Sequence, residues 1–176
     1  ALGEIQQAQS IQQVDAYRHL QAQIIFAKGD YEKAYTEFEA LTRTKFNNPE
    51  LYLEMAQSRQ HLGATDKEIL DLLNKSIELC DTPYVSTSAP YFYTRGQQLE
   101  KMGEYRKAIQ DYYTYEYFNQ GRLDAGFYYM REQCEAKGRM WQQALQDILI
   151  ASRLDPKEPL YPTEAGSLLL RLNKMD

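Results

Sequence analysis

The chain has 176 residues, with 20 Lys and Arg against 25 Asp and Glu for a net charge of −5. That length buries one core or one short repeat array, and the acidic balance speaks against a nucleic-acid partner, whose binding needs clustered Lys and Arg to neutralise phosphates. The longest aliphatic runs, Ile148 to Ala151 and Leu168 to Leu170, are far too short to span a bilayer, so no membrane insertion is expected.

Apolar spacing and turn punctuation predict ten helices: 2–12, 14–28, 30–45, 49–62, 66–80, 89–102, 105–118, 123–137, 141–154 and 161–172. Ala1, Ile5 and Ala8 begin the pattern at the spacing of a helix that feeds into the next. Apolar residues then recur at intervals of three and four: Phe38 and Leu41; Leu70, Leu73 and Ile77; Tyr112, Tyr115 and Phe118; Leu145, Ile148 and Leu149. All six prolines, at positions 49, 83, 90, 156, 159 and 162, fall at boundaries or first turns, where a missing N–H costs little. Between the fifth and sixth helices lies Thr82-Pro83-Tyr84-Val85-Ser86-Thr87-Ser88-Ala89-Pro90, bounded by prolines and rich in hydroxyls, which predicts a loop. Leu168, Leu169, Leu170 and Leu172 make the last helix apolar nearly all round.

One motif is written twice. Gly29-Asp30-Tyr31-Glu32-Lys33-Ala34 and Gly103-Glu104-Tyr105-Arg106-Lys107-Ala108 share Gly, acid, Tyr, two polar residues and Ala. Weaker copies surround Gly63 and Gly138, and Asn173 stands where a fifth glycine would fall. The spacings between these positions are 34, 40, 35 and 35 residues, a period of about 34 with six residues inserted at the 82–90 loop. Small residues seven positions before each turn (Ala22, Ala56, Gly96, Gly166) and Ala34, Ala108 and Ala144 after it allow paired helices to approach closely. Arg18, Arg59 and Arg131 interrupt the apolar or small pattern.

This pattern resembles the tetratricopeptide repeat, most closely at Phe92, Gly96, Leu99, Gly103, Tyr105, Ala108, Tyr112 and Tyr115, and at Ala144, Ile148, Ala151 and Asp155-Pro156. The resemblance implies an all-α, right-handed solenoid of about four helix-turn-helix repeats flanked by half-repeats. Its expected parts are one array over 1–176: a half-repeat at 1–12, repeats at 14–46, 49–82, 89–121 and 123–156, and a C-terminal helix at 160–173. Both end helices then cut a repeat in half, which suggests a segment of a longer array, or a last helix serving as cap.

No catalytic, metal or cofactor residue is assigned. His19 and His61, the two imidazoles, lie on different repeats. Cys134 reads as a small buried hydrophobe, and Cys80 and Cys134 match no metal-ligand spacing. Glu37 with Glu39 and Asp111 with Glu116 read as solvated helix faces. Of the 15 tyrosines, Tyr112 and Tyr115 are expected inward with Phe118, and Tyr113 and Tyr117 outward.

The resemblance implies a groove lined by the first helix of each repeat, used to hold extended peptides or partner helices. Residues ten and six before each turn glycine share one helix face: His19 and Gln23, Leu53 and Gln57, Tyr93 and Gln97, Tyr128 and Glu132. Phe26, Glu54, Gln60, His61, Glu100, Lys101, Tyr129, Glu135 and Arg171 are expected on the same side. The long amides suit hydrogen bonding to a peptide backbone. The subgroup that grips the carboxylate tail of heat-shock chaperones uses Lys, Asn and Arg; His19, Gln23, Gln57, Pro90 and Thr94 stand there instead. The expected partner is therefore a neutral to basic, or apolar, protein or peptide, not a chaperone tail. Three functions follow: a non-catalytic interaction scaffold, a regulatory or substrate-recruiting segment of a larger enzyme or signalling protein, or a structural element that associates with its own copies through open ends. An opening Ala1 without a leader fits the cytoplasm, or an envelope protein after leader removal.

Overall fold

The computed structural model describes residues 2–44, 48–80 and 86–174, with side chains in the first helix at residue 10 and from residue 13 onward. Nine α-helices occur among the described residues: α1 (Leu2–Ala27), α2 (Tyr31–Thr42), α3 (Pro49–His61), α4 (Asp66–Glu78), α5 (Ala89–Lys101), α6 (Tyr105–Phe118), α7 (Ala125–Lys137), α8 (Trp141–Leu154) and α9 (Leu160–Leu172). The expected helices 2–12 and 14–28 are one helix, α1. Gln12-Gln13-Val14 contains neither Gly nor Pro, so nothing in the sequence breaks the backbone ladder there. Residues 81–85, the heart of the expected loop, lie outside the described residues; a single 3₁₀ turn follows at Ser86–Ser88.

Backbone contacts divide the chain into two units, Ala1–Tyr84 and Val85–Asp176. The first holds the hairpins α1/α2 and α3/α4. Its core joins Ala22, Ala34, Phe38, Leu41, Leu51 and Met55, with a second cluster of Ala56, Ile69 and Leu73. Fully burying a side chain such as Phe38 or Leu41, both at 0% exposure, contributes about 1.5–3 kcal/mol. The second unit holds α5/α6, α7/α8 and α9. Tyr112, at 0% exposure, anchors one part, and Ala125, Ala144, Ile148, Ala151, Tyr161 and Leu168 form the other. Side chains start several helices: Asp30 accepts from the Lys33 N–H, Asn48 from Glu50, Asp124 from Phe127, and Thr65 with Glu68 forms a reciprocal capping box.

Four first helices end in one kind of turn. A residue with positive φ donates its N–H three residues back, and its successor donates five back. Gly29, Gly63 and Gly103 fill the positive-φ place in three turns, and Arg139, at φ 59°, fills it in the fourth. There the Arg139 N–H reaches the Ala136 carbonyl at 3.1 Å and the Met140 N–H reaches Glu135 at 2.8 Å, matching the bonds at Gly103 and Glu104. Gly138 has φ −75°. It is needed for closeness, since a Cβ there would lie 3.1 Å from Tyr105 Cβ. The fourth turn thus falls one residue later than its glycine suggests.

Candidate functional site

In the first unit, α1 and α3 are joined by side chains expected in the groove. Glu54 on α3 takes His19 Nε2 on one carboxylate oxygen at 2.5 Å and Gln23 Nε2 on the other at 2.6 Å. His19 is buried and packs edge-on against Phe38. Burial works against a charge on His19, but Glu54, helped by Glu50, outweighs it and raises the imidazole pKa. His61 is exposed and stacks flat on Tyr31 at 4.0 Å, with Phe26 edge-on beside it. Leu53 packs on the Ala56 cluster; Gln57 is half-buried on the turn that follows it.

In the second unit, Tyr93 sits half-buried against Tyr115 at 4.8 Å. It borders an open cleft of about 390 Å³ with Arg122, Asp124, Phe127 and Met130. Gln97, one turn on, is exposed. On α7 the expected pair behaves differently. Tyr128 donates its hydroxyl to Glu116 on α6 at 2.9 Å, and Glu132 is 1% exposed. With the turn residue at Arg139, positions ten and six before it are Tyr129 and Gln133. Gln133 lines a second open cleft, of about 420 Å³, between α7 and α9, together with Lys137, Trp141, Glu164, Ser167 and Arg171. Ser167 is itself six residues before Asn173. Arg171 lies over the Trp141 ring at 4.3 Å, and Lys137 pairs with Glu100 of α5 at 2.8 Å. Glu132 takes the place that Ala22, Ala56 and Gly96 hold elsewhere; it accepts from Gln133 Nε2 at 2.5 Å, and burial raises its pKa.

Residues six before the positive-φ positions of the four first-helix turns are therefore Gln23, Gln57, Gln97 and Gln133. A one-residue slip hid the fourth. The signal that could have found it is a second repeat, Arg95 with Asp111 and Arg131 with Asp147. Each pair is 16 residues apart, and the two copies are offset by 36 positions where the glycines give 35.

Those pairs are bidentate and lie between first and second helices. Arg95 holds Asp111 at 2.8 and 2.7 Å. Arg131, 1% exposed, holds Asp147 at 2.6 and 2.8 Å and Glu116 at 2.7 Å. Tyr113 covers the Arg131 guanidinium at 4.2 Å and donates its hydroxyl to Glu135 at 2.9 Å. Asp111 and Glu116, expected on solvated faces, are thus structural, and Glu135, expected on the groove, is at 0% exposure. Burial pushes the Glu135 carboxyl up to about 8 and the Cys134 thiol up to about 12, so Cys134 is a packed thiol with little thiolate. Tyr112 lies inward and Tyr117 outward as expected. Among the described residues, no group of three or more His, Cys, Asp or Glu is placed to hold a metal ion, and no helix is long and apolar enough to cross a membrane.

The chain superposes on solved structures over most of its length. MamA from Desulfovibrio magneticus RS-1 superposes with a TM-score of 0.70 at 19% identity, covering 90% of this chain and 85% of that one. This chain has the tetratricopeptide-repeat fold. YrrB, described as a tetratricopeptide-repeat protein with an unusual peptide-binding site, gives 0.63 at 19% identity over 81% of this chain and 70% of its own. A putative kinesin light chain with nearly identical repeats of the same type, from Podospora anserina, gives 0.67 at 11% identity, covering 90% and 87%. No protein-family model and no curated protein matches the sequence.

Proposed function

We propose that this protein is a non-catalytic scaffold that holds an extended segment of another protein along its first helices, and that 1–176 acts as one array with repeats at 14–46, 49–82, 89–121 and 123–156. One observation carries the reading. The four turns place a glutamine six residues before each positive-φ position, and in the second unit Gln97 is exposed while Gln133 opens onto the α7/α9 cleft. A carboxamide offers one acceptor and two donor hydrogens, which match the alternating C=O and N–H of an extended backbone. Tyr93 and Tyr129, ten before the turn, supply amphipathic rings beside them. Gln23 is already held by Glu54, so the second unit carries the larger share of contact.

The partner is neutral to basic or apolar. Glu132 and Glu164 border the α7/α9 cleft, and its two cations lie against Glu100 and the Trp141 ring, which disfavours a carboxylate tail in that cleft. Capture from a random peptide library tests this. Wild type should enrich uncharged or basic peptides, and Gln97→Ala with Gln133→Ala should weaken them at least about tenfold, the loss expected when bound backbone groups go unpaired. Unchanged capture by folded variants, or enrichment of acidic C-terminal tails, would refute it.

A further inference from the structure

Two helices leave apolar faces open, and the repeat itself says what kind of element covers such faces. On α1, Tyr17, Ile24, Val14 and Leu20 are 63, 49, 59 and 52% exposed. Tyr17 and Ile24 stand twelve and five residues before Gly29. The same positions are Leu51 and Ser58 on α3, Phe127 and Cys134 on α7, and Tyr161 and Leu168 on α9, all at most 9% exposed. In each of those three, the second helix of the preceding hairpin lies alongside: α2, α6 and α8.

On α9 the open face is the other one. Pro162, Gly166, Leu169 and Leu170 stand eleven, seven, four and three before Asn173, and Leu169 and Leu170 are 47 and 65% exposed. Their equivalents on α5 are Phe92, Gly96, Leu99 and Glu100, which α6 covers. A Cβ on Gly96 would meet Tyr112 Cε1 at 2.7 Å, so the ring fills the space over that glycine. Over Gly166 there is nothing within 4 Å. The socket that takes an aromatic ring on α5 is present and empty on α9.

We infer that α9 receives α1 of a second copy of this chain, with Tyr17 over Gly166 and the remaining apolar residues of the two faces packed alongside. Tyr17 is an exposed ring on a helix face that is itself open, so each face supplies what the other lacks. None of the eight residues is charged, so contact buries apolar surface without stripping water from an ion. Because the two faces differ, the contact is head to tail, and one copy uses both. This inference does not depend on the glutamine row.

Sedimentation of the 176-residue chain tests it. Between about 1 µM and about 1 mM, concentrations that bracket modest affinities, the average mass should rise above the 20.6 kDa of one chain. Tyr17→Glu with Ile24→Glu blocks one face, and Leu169→Glu with Leu170→Glu blocks the other. Either double variant alone should associate at least about tenfold more weakly, the scale of two lost apolar contacts. Mixed together, the two should form a complex of one chain each through the intact pair of faces. Gly166→Leu, which fills the socket at an open helical position, should weaken association in the same way. Because all these positions are exposed, helicity and thermal midpoint serve as controls for folding. A wild type that stays at one chain throughout, or variants that associate as wild type does, would overturn the inference.

Discussion

Glu135 is buried with its Oε2 lacking a hydrogen-bond partner, beside one guanidinium that already serves Asp147 and Glu116. A third negative charge there is poorly compensated, so burial holds the carboxyl protonated up to about pH 8, against an ordinary value of 4.5. Between those values the folded state keeps a proton that the unfolded chain releases, so stability falls as pH rises. Asp111, Glu132 and Asp147 are also raised by burial and act in the same direction. The raised His19 does so too: its contribution is complete below pH 6.5 and is lost as pH rises through the folded value. Urea midpoints from pH 5 to 9 should therefore decline, and Glu135→Gln should flatten the curve and gain most at the alkaline end. Arg131→Met strands buried carboxylates and should cost about 3–5 kcal/mol in a urea titration, whereas adding Asp147→Leu should recover part of that loss.

At the scale of elements, the helices were legible because Gly and Pro punctuate them and apolar residues recur within them. The join of 2–12 with 14–28 was not, because repeat symmetry suggested a break that the Gln-rich sequence does not contain. The fourth turn misled for another reason. Gly138 serves close packing against Tyr105, and an arginine carries the positive φ, a conformation that costs a residue with a Cβ about 1–2 kcal/mol. Arg139→Gly should therefore stabilise the protein by about 1 kcal/mol in thermal melts. Gly96→Ala should do the opposite, by about 1–3 kcal/mol, because the buried Tyr112 ring cannot retreat. If Arg139→Gly is neutral or destabilising, the turn register fails, and Tyr129 and Gln133 leave the row.

Over the whole molecule, the period of hairpins was readable in the sequence, while the identity of a partner was not. The proposed contacts, Gln97 and Gln133 with Tyr93 and Tyr129 beside them, would set what a ligand offers and do not name a protein that offers it. Packing constrains such surface side chains only weakly, so it leaves little imprint on them. The Arg95/Asp111 and Arg131/Asp147 pairs escaped the sequence reading as well, with Asp111 expected on a solvated face and Arg131 as an interruption, although both pairs share a 16-residue spacing. The most direct test of the scaffold reading is amide hydrogen exchange of the wild type with and without a captured peptide. Protection should rise along α5, α7 and α9, around Gln97, Gln133 and Ser167, and stay unchanged along α6 and α8. Protection confined to α6 and α8 would contradict the account.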